Sequence, residues 1–142
     1  MGRIIAIDYG RKRTGIAVTD PLQLISSGLT TIASATAIDF LKNYFLKETV
    51  DAIVVGHARQ MDSSDSESMQ YILPFVKLLS KHFPEKPVHM VDERFTSKIA
   101  HQTMLDAGLK KKKRQDKALV DTISATIILQ SYMERKDIGI KF

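Results

Sequence analysis

The segment Ile4–Asp20 constrains the fold more than any other part of the chain. It reads Ile4-Ile5-Ala6-Ile7-Asp8-Tyr9-Gly10-Arg11-Lys12-Arg13-Thr14-Gly15-Ile16-Ala17-Val18-Thr19-Asp20. Two short apolar runs each end in an acid, and a glycine- and arginine-rich turn lies between them. Short runs of Ile, Val and Ala bounded by turn signals read as buried strands. The pattern therefore predicts a hairpin with strands near 3–8 and 14–19 and a turn over 9–13. Asp8 closes the first strand at its carboxyl end. A carboxylate set beside a core costs several kcal/mol unless something compensates, and a bound cation does so well. The chain opens with a candidate metal or phosphate site.

Composition narrows the setting of that site. At 142 residues, with 44% hydrophobic and 26% charged positions, the chain suits a single soluble domain, 1–142. No apolar stretch approaches the ~20 residues that span a bilayer, and the N-terminus enters a strand directly. These features predict no membrane partner, no secretory signal and a cytoplasmic location. Cysteine is absent, which excludes disulfides and thiolate zinc sites. The net charge of +5 is local: Lys110-Lys111-Lys112-Lys113-Arg114 supplies five cations in a row, and Arg11-Lys12-Arg13 three more. Basic clusters favour polyanions such as nucleic acid. A solvated loop is the bland alternative for either run alone, but both lie near acidic candidate ligands.

Further elements follow the hairpin. A third short strand is expected around Leu29–Ile32, and Ser34 is placed to N-cap a helix carrying Ile38, Leu41 and Phe45 at helical spacing. Asp51–Gly56 reads as a buried strand. Ser64-Asp65-Ser66-Glu67 has capping-box spacing and opens a helix with Met69, Ile72, Val76 and Leu79 on one face, which Pro74 should kink or interrupt. Pro87–Val91 is a fifth strand, ending in Asp92-Glu93-Arg94. Thr96 can cap a helix through about Ala107, stopped by Gly108, and a last helix covers about Lys117–Glu134. Hairpin strands followed by crossover units predict an α/β fold: a five-stranded mixed sheet with helices on both faces.

Strands running one way deliver their carboxyl ends to one sheet edge, where open α/β folds bind ligands. Asp8 ends strand one, and Asp92-Glu93 ends strand five. Neighbouring strand residues point to opposite faces, so one of the two acids is a ligand candidate and the other pairs with Arg94 or caps the next helix. A third acid comes from the last helix, where Asp121 shares a stripe with Ala125, Ile128 and Tyr132. Small Ser124 and Ala125 let that turn approach the sheet. An Arg or Lys partner for Asp121 and an Asx-turn role for Asp8 are the purely structural alternatives. Together the acids make an oxygen-rich, sulfur-free set suited to magnesium or manganese.

Such a set fits phosphodiester hydrolysis, in which two cations ~3.5–4 Å apart activate a water and stabilise the leaving oxygen. Lys12, Arg13 and Lys110–Arg114 would then hold flanking phosphates, which positions a strand without reading its sequence. His57, His82, His89 and His101 have no zinc-binding spacing. His57 follows Gly56 at the proposed edge and is a candidate for substrate contact or proton transfer.

Three blocks taken in order resemble the YqgF/RuvX family: Asp8-x-Gly10-x-Lys12-Arg13-x-Gly15-x-Ala17, Asp92-Glu93-Arg94-Phe95-Thr96-Ser97 and Asp121-x-x-Ser124-Ala125-x-x-Ile128-Leu129-Gln130. The resemblance spans nearly the whole chain. It implies an RNase H-like fold, similar to that of Holliday-junction resolvases. It also implies a nuclease acting at the 5′ end of precursor 16S ribosomal RNA, or a junction resolvase acting on branched DNA. Carried over by position, Asp8, Glu93 and Asp121 are the implied metal-binding catalytic acids, and the resemblance selects Glu93 over Asp92. Arg94 is a further candidate substrate contact. One block departs: in Gly56-His57-Ala58-Arg59-Gln60-Met61-Asp62-Ser63-Ser64, the residues Ala58, Gln60 and Ser63 stand where the family has Pro, Asn and Gly. Substrate contacts or rigidity in that loop are therefore in question.

Two other classes compete. Phosphotransferases of the actin–hexokinase type also start with an Asp-x-Gly hairpin, but their cleft needs two such domains and 142 residues hold one. A non-catalytic nucleic-acid-binding ribosome-assembly factor accounts for the basic runs but gives the three acids no reason to converge. The sequence leaves RNA versus DNA, and the oligomeric state, open.

Overall fold

Every second residue of the first strand faces the same side, and here both sides are apolar. In β1 (Arg3–Tyr9), Ile5 and Ile7 join one core cluster while Ile4 and Ala6 join another. Both clusters exclude water almost completely at β1, so the strand is central and reads as a continuous apolar run. The computed structural model describes residues 2–57, 69–92 and 117–137.

The hairpin forms as expected: β2 (Arg13–Thr19) pairs antiparallel with β1, setting Asp8 opposite Gly15 and Tyr9 opposite Thr14. β3 (Ser26–Ala33) pairs antiparallel with β2 and forms one edge. It is longer than its Leu29–Ile32 apolar core suggested, because its Ser/Thr-rich start lies on a solvent-facing edge that needs no apolar pattern. β4 (Val50–His57) and β5 (Val88–Asp92) add parallel strands on the other side of β1, giving the order β3-β2-β1-β4-β5. The five-stranded mixed sheet is thus present.

Helices cover both faces. α1 (Ala37–Lys47) and α2 (Met69–His82) bury Leu41, Ile72, Phe75 and Leu79 against Ile5, Ile7, Ile16, Ile53 and Val55. α3 (Lys117–Asp137) lays Ala125, Ile128, Leu129 and Tyr132 on Ile4, Ala6, Ala17, Val54 and Val91. Among the described residues no helix is long and apolar enough to cross a membrane.

Two local expectations need correction. Ser34 does not cap α1: it lies in a 3-10 turn (Ser34–Thr36) that precedes the helix, and no side chain caps α1. Its buried hydroxyl instead donates to the Gly10 carbonyl (2.5 Å) and meets the Thr14 hydroxyl (2.8 Å), while its N–H donates to the Lys12 carbonyl (2.9 Å). A buried hydroxyl takes whatever partners its surroundings offer, and here the hairpin turn offers them. Of the kink or interruption expected at Pro74, the interruption is absent: α2 runs from Met69 to His82. A proline inside a helix costs about 3 kcal/mol. Burial of Ile72, Phe75 and Leu79 on the same helix returns about 1.5–3 kcal/mol each, which outweighs it. The capping box at Ser64–Glu67 and the expected helix from Thr96 to Ala107 lie outside the described residues.

Candidate active site

Asp8 shares strand parity with Ile4 and Ala6, so it belongs to the α3 side of the sheet, at the carboxyl end of β1, and is half-buried. Asp121 comes to the same place from the first turns of α3. The stripe anticipated for it is the observed one, with Ala125, Ile128 and Tyr132 all buried against the sheet. The meeting point is Gly15. It is the strand partner of Asp8, and a Cβ placed on it would run into the Asp121 carbonyl and lie 3.1 Å from the Thr122 nitrogen. Only a residue without a side chain lets the helix come this close. Gly28 on β3 repeats the device: a Cβ there would stand 2.5 Å from Thr122 Cγ2 and 3.2 Å from Thr126 Oγ1. A bond between the Thr31 and Thr122 hydroxyls, 2.6 Å, ties the same turn to β3. Small residues on α3 were legible as an approach signal; the matching glycines on the sheet were missed, although glycine inside a strand is itself such a signal.

The ion pair weighed for Asp121 is present. Arg13 Nε donates to Asp121 Oδ2 at 2.8 Å, with both side chains partly open to solvent. Arg13, expected as a phosphate contact, is therefore held against a candidate metal ligand. Lys12 is exposed at the hairpin tip, as a phosphate contact requires. His57 ends β4 at the same sheet edge, its partner across the ladder being Asp92. Glu93, Arg94 and the Lys110–Arg114 run lie outside the described residues. So does the departing loop beyond His57.

Asp8 and Asp121 are both carboxylates, the donor type that a hard divalent cation takes. Among the described residues no three of His, Cys, Asp and Glu gather as a metal site; the third expected ligand, Glu93, is not among them. His89 of β5 rests its ring on Tyr132 of α3 at 5.3 Å. Burial pushes the Tyr132 hydroxyl pKa up. The second acid of the opening segment, Asp20, serves a different purpose at the far end of the sheet. Its carboxylate accepts N–H bonds from Ile25 (2.7 Å), Leu24 (2.8 Å) and Leu22 (3.1 Å). The Ile25 bond is the largest cause of its lowered pKa. A groove of about 430 Å³ lined by Leu24, Ile25, Met133 and Glu134 lies at that same far end, away from Asp8.

A family model described as "RuvX: Holliday junction resolvase" matches residues 2–135. The chain belongs to the RuvX family. Similar RuvX-family proteins include one from Phocaeicola vulgatus, 62% identical over 136 residues, which span 96% of this chain and 98% of the relative. One from Flavobacterium psychrophilum is 59% identical, over 96% and 99%; both relatives are named "Putative pre-16S rRNA nuclease". Among solved structures, the chain is similar to Thermus thermophilus RuvC in complex with a Holliday junction substrate. The TM-score is 0.59 and the identity 13%, with 99% of each chain covered. A second Thermus thermophilus RuvC structure gives 0.52 at 15%, covering 93% and 96%. At such identity the likeness establishes the fold, which is RNase H-like, as the RuvX resemblance implied.

Proposed function

We propose that this RuvX-family chain is one nuclease domain, residues 1–142, that hydrolyses phosphodiester bonds in structured nucleic acid with magnesium or manganese. The observation that carries the reading is the convergence of Asp8 and Asp121 through Gly15 at the carboxyl edge of the sheet. Relatives about 60% identical over nearly their full length bear the name of a pre-16S rRNA nuclease, which makes the 5′ end of precursor 16S rRNA the first substrate to test. The work is cytoplasmic on this reading.

Asp8, Asp121 and Glu93 are the proposed ligands. His89 faces α3 through Tyr132, and Val91 packs in the α3 cluster, so odd positions of β5 belong to the Asp8 side. Glu93, the acid that the RuvX resemblance selects, is the third proposed ligand. Bound there, divalent ions supply a Lewis acid for the phosphate and an activated water, two ions serving the attacking and leaving oxygens. The protein's own part is to hold the carboxylates, and Lys12 with Lys110–Arg114 to position flanking phosphates. His57 and Arg94 are further proposed substrate contacts. Arg13 neutralises Asp121 until metal and substrate arrive, then is free to take a phosphate.

Branched DNA is the second reading, favoured by the family's description and by the fold shared with a junction-bound RuvC. The test is cleavage with manganese of a precursor 16S 5′ segment beside a four-way DNA junction. Cutting of the RNA and not the junction is expected. Junction cleavage alone transfers the proposal to DNA, and cleavage of neither leaves a non-catalytic assembly factor as the better explanation.

A further inference from the structure

The tip of the β1–β2 hairpin carries three cations, and they have different surroundings. Arg13 is paired with Asp121. Arg11 is exposed, and its guanidinium carbon sits 5.5 Å from the centre of the Tyr71 ring. That ring, at the start of α2, is 6.1 Å from Tyr9, which stacks on Phe75 at 4.0 Å and 10°. A ladder of rings thus runs from Phe75, in the core, through Tyr9 to half-buried Tyr71, and ends on an open guanidinium. Tyr9 follows Asp8 in the chain but belongs to the α1–α2 side of the sheet. The ladder therefore stands just over the rim from the carboxylates.

Core packing accounts for Phe75 and Tyr9. It does not account for a partly exposed tyrosine capped by an arginine at the rim of a proposed nuclease site, where an exposed cation–π contact contributes only about 0.5–1 kcal/mol. Aromatic rings and guanidinium planes are the two surfaces on which unpaired nucleobases stack, and a base inside a duplex cannot reach them. We propose that Arg11 and Tyr71 form a stacking subsite for an unpaired nucleobase next to the cleaved phosphate, so that the substrate crosses the carboxyl end of β1 and places a splayed nucleotide on the far side. This rests on the nucleic-acid reading above and adds a structural preference to it: an unpaired nucleotide beside the cut, of any sequence.

The test uses the full chain with EDTA, so that binding is read without cleavage. The probe is an RNA hairpin with a single-stranded flank carrying 2-aminopurine, or an abasic site, at each flank position in turn. Wild type is expected to quench 2-aminopurine at one position and to bind about five- to thirtyfold more weakly when that base is removed. Tyr71→Leu and Arg11→Lys should each weaken binding of the intact flank by a similar factor, abolish the quenching, and bind the abasic probe as wild type does. Arg11→Lys keeps the charge on an exposed residue, so it separates stacking from folding and from simple electrostatics. Equal binding of intact and abasic probes by wild type, or variants that weaken both probes alike, would overturn the proposal. Failure of the nuclease reading looks different: position-specific quenching persists while manganese supports no cleavage. If the wild type binds no nucleic acid, both are overturned.

Discussion

The contact between Arg13 and Asp121 shows how much one residue's assignment depends on its partner. From the sequence, Asp121 was legible as an acid on a buried stripe and Asp8 as an acid at a strand end. That Arg13 would reach Asp121, 108 positions away, was not, because a basic run looks the same whether its members are paired or free. If Asp121 holds metal as proposed, the pairing has a consequence for metal binding. A guanidinium beside a ligand repels an incoming cation, so Arg13→Gln should tighten manganese binding several-fold by calorimetry while weakening RNA binding; looser manganese binding would show that Arg13 serves instead to orient the carboxylate. Asp20 allows a pH test. Its backbone N–H bonds lower its pKa in the fold, so the stabilisation is present above the usual carboxylate range and is lost as pH falls through the lowered value. Urea midpoints of wild type and Asp20→Asn should therefore differ near neutrality and converge in acid; a constant gap would mean that the charge is irrelevant.

Among the elements, the placement of α3 is decided by what the sheet lacks. At Gly15 an added methyl meets the backbone of Asp121, which can move only by shifting the helix; at Gly28 it meets the end of the Thr122 side chain, which can rotate. Gly15→Ala should thus cost about 1–3 kcal/mol in chemical denaturation and sharply reduce cleavage, with Gly28→Ala milder on both. Equal effects would remove Gly15 from its special position. The strands β1, β2 and β4 were legible because buried strands are apolar on both faces, and β5, though at an edge, because Val88, Met90 and Val91 are apolar. The polar first half of β3 was not, since an edge strand lacks that signal. Ser34 resists reading from sequence because a cap and a turn tie use the same hydroxyl, and only the position of the Gly10 carbonyl distinguishes them.

For the whole molecule, the strand order β3-β2-β1-β4-β5 sets the carboxyl ends of β1, β4 and β5 along one edge, and α3 adds a carboxylate from above. The net charge of +5 favours a polyanion as partner. Replacing Lys110–Lys113 by Ala should weaken RNA binding and reduce the slope of log affinity against log salt by about 0.7 for each phosphate that is no longer neutralised. An unchanged slope would assign the run to something other than phosphate. The role of Asp8 and Asp121 as metal-holding carboxylates is tested most directly by manganese-dependent cleavage of the precursor 16S 5′ segment. Wild type, Asp8→Asn and Asp121→Asn are compared, each checked for an intact thermal unfolding transition. Folded variants with cleavage abolished are the expected result, whereas wild-type rates in both would contradict the assignment.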